Sequence, residues 1–298
     1  MKIGVVFPQT EIDANAGAVR IYAQEVERMG FMHIRAYDHV VGANTASRPN
    51  WKGFYKLETP FQEPFVLFSY MAGLTKKVRF ATSVIILPQR QAVLVAKQAA
   101  SLDVLSEGRL DLGVGIGWNE VEYEALGMDF GDRGRRYEDQ IAVLRALWTN
   151  PAVTIKTPWH TITDAGINPL PIQRPIPIWM GGGPQKLEAG QSGSDVVLRR
   201  IARLGDGWVP MWQPSDDGRA VLEKFQGYCR EYGRDPAKIL IEGSLNATRA
   251  TESTWAETAA AWRQIGAANM SVNTMGDGLT TIEQHLRRLE GLRKILLP

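Results

Sequence analysis

The sequence has one cysteine and no long hydrophobic run. Cys229 is the one cysteine among 298 residues, so an internal disulfide is impossible. The low cysteine content fits a reducing cytoplasm. No apolar stretch approaches the ~18 residues that a membrane-spanning helix needs. The amino-terminal run Ile3–Phe7 stops at Pro8, which is too short for the core of a secretory signal peptide. We therefore expect a cytoplasmic protein that does not bind membranes.

The sequence also lacks an excess of charge of one sign. The 34 basic and 32 acidic residues leave a net charge of +2, and no block of lysine and arginine stands out. A nucleic-acid partner is therefore not expected, and the predicted partner is a small-molecule substrate. The four histidines lack the spacing and the carboxylate neighbours of metal ligands, so we predict no metal site.

Short apolar runs alternate with amphipathic stretches along the whole chain. The predicted strands are Ile3–Phe7, Ile34–Tyr37, Val78–Leu87, Arg109–Gly115, Ile176–Met180, Gly207–Met211, Lys238–Gly243 and Met270–Thr274. The predicted helices that follow them are Gly17–Met29, Glu63–Thr75, Gln91–Leu105, Arg133–Trp148, Gln185–Leu204, Gly218–Tyr232, Thr254–Ile265 and Thr281–Leu292. Helical and apolar periodicity support these assignments.

This alternation predicts an α/β fold with a parallel sheet. Eight strand–helix pairs suit a closed (β/α)8 TIM barrel that forms a single domain over residues 1–298. A proline-rich insertion around residues 150–175, with a small hairpin over Val153–Thr163, interrupts the rhythm. A doubly wound open sheet is the alternative, but the glycine-rich turn expected after its first strand is absent.

In a barrel, the loops after the strands line the active face. His39 lies at the end of the second predicted strand, and its imidazole can exchange a proton near neutral pH. A purely structural hydrogen-bonding role is the alternative. Asp38 precedes it, and in a continuing strand the two side chains point to opposite faces, so Asp38 would not orient His39.

Two glycine-rich segments also follow strands. Gly181, Gly182 and Gly183, with a helix predicted after them, form a candidate anion site, although a tight turn would use the same residues. Gly113, Gly115 and Gly117 are small residues that would leave room for a flat group against the strand ends. Trp118 lies beside them.

A connection of about twenty residues without regular pattern, residues 39–60, is longer than most structureless loops. It carries Trp51, Phe54 and Tyr55, which would cover a flat ligand. A satellite hydrophobic cluster or a dimer contact is the alternative. Trp212, after the sixth predicted strand, is a further candidate for a substrate or lid residue.

The remaining histidines have less specific interpretations. His33 begins its strand and is expected near the face of the barrel opposite the active one, where residues serve stability. His160 lies in the proline-rich insertion. His285 lies on the last predicted helix, where we expect it to be exposed.

Several motifs resemble the bacterial luciferase-like flavin-dependent oxidoreductase superfamily, and most closely its coenzyme F420-dependent (deazaflavin) branch. The segments that carry the resemblance are Ala36–Val40, Ile86–Gln91, Leu102–Leu110, Gly113–Gly127, Ile167–Pro171, Pro177–Gly182 and Gly205–Trp208. The resemblance covers nearly the whole chain. It implies a (β/α)8 barrel with an insertion, often a homodimer, and a cofactor ring over the carboxyl ends of the strands.

The resemblance also implies site residues. A non-proline cis peptide at Ser83–Val84 would form a bulge behind the cofactor ring, and His39 would lie near the reacting ring carbon. The cofactor-binding residues implied are Asp38, Thr82, Ser83, Val84, Gly117, Trp118, Asn119, Gly181, Gly182 and Gly183. Trp118 stands where some deazaflavin sugar-phosphate dehydrogenases carry a glutamate, and Met211 and Trp212 offer no lysine, so a sugar-phosphate substrate loses support.

The expected function is hydride transfer between reduced coenzyme F420 and a small organic substrate, with His39 handling a proton. One alternative keeps the fold and uses flavin mononucleotide (FMN) in a monooxygenase. A second is a barrel that binds a deazaflavin or flavin without turnover. A third, a non-redox lyase or isomerase, lacks a recognisable acidic cluster or Schiff-base lysine at a strand end.

Overall fold

The chain forms a closed parallel barrel. The computed structural model describes residues 1–13, 15–184, 192–248 and 251–297. Its strands are β1 Lys2–Val6, β2 His33–Ala36, β3 Arg79–Thr82, β4 Ile85–Ile86, β5 Leu110–Gly115, β6 Val153–Lys156, β7 Thr161–Ala165, β8 Ile178–Gly181, β9 Gly207–Val209, β10 Leu240–Asn246 and β11 Asn269–Asn273. All are barrel strands except β6 and β7.

The barrel strands follow the order β3-β2-β1-β11-β10-β9-β8-β5, and β5 pairs back onto β3. All these pairings are parallel. β4 also pairs with β5, so β3 and β4 are two segments of the third barrel strand. The predicted (β/α)8 barrel is confirmed, and the closing β3–β5 pairing excludes an open sheet.

The helices are α1 Ala16–Arg28, α2 Pro64–Leu74, α3 Ala92–Leu105, α4 Glu120–Ala125, α5 Arg133–Thr149, α6 Ser192–Leu204, α7 Asp216–Glu231, α8 Glu252–Gln264 and α9 Ile282–Leu296. Local sequence explains many of their starts: Thr281 and Gln284 form a capping box on α9, and Ser215 accepts a hydrogen bond from Gly218 N on α7. The predicted start of the sixth barrel helix at Gln185 lies outside the described residues. Over the described ranges, none of the helices has the length and apolarity to cross a bilayer.

The proline-rich insertion contains the predicted hairpin, formed by antiparallel β6 and β7. Two contacts hold its turn on α5. His160 Nδ1 lies 2.5 Å from Asp139 Oδ2, and Trp159 Nε1 donates to Asp132 Oδ2 at 2.8 Å. His160 is thus a structural contact of the hairpin.

His285 corrects the sequence prediction. It is fully buried, and its Nδ1 lies 2.8 Å from Thr274 Oγ1. The reason is its helical position: it follows Ile282 by three residues and precedes Leu289 by four, so it shares the core-facing side of α9. Burial lowers the pKa of His285 to about 4.

Candidate active site

A cleft of about 710 Å³ opens at the carboxyl ends of the barrel strands. Strand ends and the loops that follow them supply its lining, which is Val6, Arg35, Tyr37, Asp38, His39, Phe54, Tyr55, Ser83, Val84, Ile86, Gly115, Ile116, Gly117, Trp118, Glu122, Gly181, Gly182, Val209, Pro210, Met211, Gln213, Ser244, Leu245, Asn246, Ser271 and Asn273. In the described part of the chain, no group of three or more His, Cys, Asp or Glu side chains is placed to hold a metal ion.

His39 is held by a buried carboxylate that the sequence did not reveal. Its Nδ1 lies 2.8 Å from Glu122 Oε1, which also accepts a hydrogen bond from Val40 N at 3.1 Å. Gln89 Nε2 donates to the other oxygen, Oε2, at 3.1 Å. Because an ionised carboxylate only accepts, His39 donates through Nδ1, and its Nε2 remains to hold or release a proton.

Aromatic rings surround His39. The centroids of Tyr55, Phe61 and Trp118 lie 4.6, 4.8 and 5.8 Å from the imidazole centroid. Burial raises the pKa of Tyr55 to about 12, so its phenol stays neutral at physiological pH. This wall is therefore uncharged.

The long loop before α2 supplies part of that wall. Phe54, which is 86% exposed, sets its ring at right angles to Trp118 with centroids 5.9 Å apart. Trp51 approaches Trp118 from 5.9 Å, and its Nε1 donates to Tyr55 O. Phe54 and Tyr55 line the cleft, whereas Trp51 does not. Their role as a lid stays a prediction.

The third barrel strand is interrupted at the cis peptide Ser83–Val84, as the resemblance implied. Glycines on neighbouring strands accommodate this bulge. A Cβ on Gly115 would lie 2.6 Å from Val84 Cγ2, and one on Gly181 would lie 2.8 Å from Val84 Cγ1. The space that these glycines leave is therefore filled by Val84, and a ligand would meet the valine before the strand backbone beneath it.

Asp38 supports the loop that follows this bulge. Its carboxylate accepts hydrogen bonds from Arg90 Nη2 at 2.7 Å and from Ile86 N at 3.0 Å. Burial raises the pKa of Asp38, and the charge of Arg90 opposes that rise. β2 ends at Ala36, before the two residues, and the described bonds of the Asp38 carboxylate do not include His39. Asp38 lines the cleft, but the described bonds of its carboxylate run to the protein.

The triple glycine forms the cleft edge after β8. Gly182 and Gly183 have φ values of +131° and +105°, which favour glycine. Trp208 Nε1 donates to Gly182 O at 2.8 Å and so orients this turn. Gly181 and Gly182 line the cleft, and Gly183 lies against the Trp208 ring. Anion binding here stays a prediction.

Besides Trp51 and Gly183, three more predicted site residues lie outside the cleft lining. Thr82 is buried and donates to Gly113 O at 2.6 Å, and Asn119 caps α4. Trp212, the predicted substrate or lid residue, is 1% exposed and stacks on Trp262 with centroids 5.1 Å apart. Its apolar ring is taken up by the core, and the residues on either side of it, Met211 and Gln213, line the cleft instead.

A polar cluster forms the floor of the cleft. Glu242 Oε1 lies 2.9 Å from His33 Nε2 and accepts from Ser271 Oγ at 2.5 Å. Arg35 Nη1 lies 3.6 Å from the same oxygen, and Arg35 Nη2 donates to Ser83 Oγ on the bulge. Burial alone would raise the pKa of Glu242, but the charges of His33 and Arg35 and the hydrogen bonds of His33 and Ser271 lower it to about 2.

Sequence reasoning did not identify this cluster. The available signal was the occurrence of His33 and Arg35 at alternate positions where the second predicted strand begins, among apolar residues. Because side chains two apart on a strand share a face, both point into the barrel. Their partner Glu242 is more than two hundred residues away in sequence, so only the barrel's closure brings them together.

The fold and the cleft define a TIM-barrel protein with an open cleft at the carboxyl ends of its strands. Residues 1–294 match the luciferase-like monooxygenase family, and the chain belongs to that family. An uncharacterised Mycobacterium tuberculosis (strain ATCC 25618 / H37Rv) protein is 39% identical over 176 residues, which is 59% of this chain and 57% of that protein. The pyrimidine monooxygenase RutA of Allorhizobium ampelinum is 29% identical over 188 residues, 60% of this chain and 48% of RutA. The matched regions thus span about half of these relatives' length.

Solved structures share the fold over the whole chain. An F420-dependent secondary alcohol dehydrogenase in complex with an F420–acetone adduct superimposes with a TM-score of 0.77 at 15% identity, covering 100% of this chain and 99% of that one. The oxygenating constituent of 3,6-diketocamphane monooxygenase from Pseudomonas putida, in complex with FMN, gives 0.72 at 13% identity, covering 100% and 98%. At these identities the likeness concerns the fold.

Proposed function

We propose that this single-domain barrel is a coenzyme F420-dependent oxidoreductase that transfers a hydride between the deazaflavin ring and a small organic substrate. The observation that carries the proposal is that Ser83 and Val84, between β3 and β4, line the same cleft as a His39 oriented by Glu122. The family match and the fold shared with the F420-dependent alcohol dehydrogenase support it.

The residues present fit such a group. The cleft volume of about 710 Å³ lies in the range of ~300–1,000 Å³ that is usual for small-molecule sites. Val84 and Ile86 offer an apolar surface to a flat ring, and the turn at Gly181 and Gly182 exposes backbone at the cleft edge for a charged tail. When bound, a deazaflavin donates or accepts the hydride.

His39 then handles the proton of the reaction. Hydride addition to a carbonyl carbon leaves negative charge on its oxygen, and His39 Nε2 donates the proton that converts it to a hydroxyl. In the reverse direction Nε2 accepts that proton. Glu122 keeps the imidazole in one orientation through Nδ1, and the rings of Tyr55 and Trp118 exclude water around it.

Parallel titrations of the purified protein with F420 and with FMN, followed by ring absorbance, test this proposal. We expect F420 to bind at least about tenfold more tightly than FMN. Anaerobic incubation with ketones and secondary alcohols should then change the deazaflavin spectrum. Tight binding without exchange on any compound would favour a cofactor-binding barrel without turnover, and failure to bind either cofactor would refute the proposal.

The second candidate is an FMN-dependent monooxygenase. The shared fold of the FMN-bound monooxygenase and the similarity to RutA favour it. It predicts tight FMN binding and oxygen consumption when a flavin reductase supplies reduced FMN. Oxygen uptake should be negligible with F420, since a reduced deazaflavin reacts poorly with oxygen.

We also propose a homodimer through α2 and α3. Val66, Tyr70, Val93 and Leu94 on these neighbouring helices are exposed apolar residues, and a second copy would cover them. Light scattering should show a dimer, and the double change Val66→Glu with Leu94→Glu should give a monomer. Leu105→Glu, at the other end of α3, is the matched control. A monomeric unchanged protein would contradict the dimer.

A further inference from the structure

Arg35 places a buried positive charge at the floor of the cleft. Arg35 is 6% exposed, and it lines the cleft together with Ser83 and Val84. Among the described residues that line the cleft, Arg35 is the one lysine or arginine. A guanidinium at this depth is costly to desolvate and keeps its charge at any physiological pH.

The arrangement around Arg35 turns its charge toward the bulge. Glu242 Oε1 takes its hydrogen bonds from His33 and Ser271, and Arg35 Nη1 stays 3.6 Å from it. The hydrogen bond that Arg35 makes through Nη2 goes to Ser83 Oγ. Glu242 is therefore the counter-charge of the guanidinium on one side, while Nη2 is directed at Ser83.

A redox ring that lies against this bulge changes charge during turnover. The reduced form of a flavin or deazaflavin is more electron-rich than the oxidised form, and protein charges near the ring nitrogens tune its electronics. In a site of low dielectric constant, a nearby fixed cation acts strongly on that difference.

We propose that Arg35 is a cofactor-contacting residue that selectively stabilises the reduced, electron-rich form of the ring in this cleft. The inference rests on the proposed redox function and applies to either F420 or FMN. Selective binding of the reduced form makes the bound cofactor easier to reduce, and it lowers the driving force for hydride donation to the substrate.

A structural role for Arg35, in which it only holds Ser83, makes a different prediction. Loss of a structural contact would weaken the oxidised and reduced cofactor by the same factor. Loss of a charge contact would weaken mainly the reduced form. The ratio of the two dissociation constants therefore separates the two roles, and it does not depend on the identity of the substrate.

The experiment measures dissociation constants of the oxidised and the reduced cofactor anaerobically, using whichever of F420 and FMN the unchanged protein binds. In Arg35→Met we expect the reduced form to lose about tenfold more affinity than the oxidised form. For a two-electron couple this corresponds to a fall of about 30 mV in the midpoint potential. Arg35→Lys should retain most of the preference, because it keeps the charge.

Two further variants keep the test informative if Arg35→Met folds poorly. Glu242→Gln removes the counter-charge, so the preference for the reduced form should rise. Ser83→Ala removes the hydrogen bond and keeps the guanidinium, so the preference should stay. Equal losses of affinity for the oxidised and reduced cofactor in Arg35→Met would overturn the role assigned to Arg35. A weaker preference for the reduced form in Glu242→Gln would do the same. Neither result would affect the proposed function. Absence of cofactor binding by the unchanged protein would overturn the proposed function, and this inference with it.

Discussion

Glu122 holds His39 by its Nδ1 at a distance of 2.8 Å, and it does so from a helix of six residues. The carboxylate is 1% exposed as a side chain and the imidazole 11%. The pair is thus nearly sealed on the protein side and presents only part of the ring to the cleft. Because Nδ1 is held by Glu122, the imidazole of His39 presents Nε2 to the cleft.

Replacing His39 by alanine should lower turnover by ~10²–10⁴-fold, because a positioned acid or base typically contributes that much. Cofactor affinity should change far less, since the imidazole contributes one of many cleft surfaces. Steady-state rates and a cofactor titration on the same preparation measure both quantities. Unchanged turnover would contradict a role for His39 in catalysis.

Glu122→Gln should lower kcat by ~10–100-fold, by analogy with the carboxylates that orient metal-binding histidines. The amide keeps the shape of the side chain but removes the charge that faces Nδ1. Glu124→Gln, an exposed change on the same short helix, is the matched control and should leave kcat unchanged. Equal effects of the two changes would show that helix stability, and not the His39 contact, is responsible.

Gly115→Ala should destabilise the protein by ~1–3 kcal/mol, the usual cost of overpacking a core. The new Cβ would lie 2.6 Å from Val84 Cγ2, and valine has little rotamer freedom with which to move away. Thermal unfolding with and without Val84→Ala checks the cause, because the double variant should be more stable than additivity predicts. Gly73→Ala, in an open part of α2, should leave stability unchanged or raise it.

Acid should weaken the fold through His285. Burial lowers its pKa from 6.5 in the unfolded chain to about 4, so the unfolded state takes up the proton first as the pH falls. Stability is therefore fully present above about pH 6.5 and is lost toward pH 4, by about 3 kcal/mol for the complete shift. His285→Gln should flatten this dependence in urea unfolding measured between pH 7 and pH 4.5. An unchanged slope would mean that other groups control it.

The barrel itself could be predicted because parallel strands and their helices have local periodicities. His39 could be found as well, since the strand end that carries it is a local feature. Glu122 could not, because a six-residue helix is too short to show a periodicity. The partners Arg35 and Glu242 are joined only by barrel closure, which no local pattern encodes.

Two misplacements have a common cause. Trp212 and His285 were assigned from residue type and position in the chain, as a cleft aromatic and an exposed histidine. Both are buried because neighbouring core residues take up their side chains: Trp262 stacks on Trp212, and the face shared with Ile282 and Leu289 turns His285 inward. For both side chains, the packing partners nearby decided the location more than the polarity of the residue.

The side chains of His33, Glu242 and Ser271 close the barrel axis beneath the cleft. Among the described residues, the void in that layer measures about 10 Å³, which is too small for passage of a reactant. A molecule bound at the bottom of the cleft must therefore leave through the same opening by which it entered. If a cofactor and a substrate stack in this chamber as proposed, they enter and leave in a fixed order, with the deeper one first in and last out.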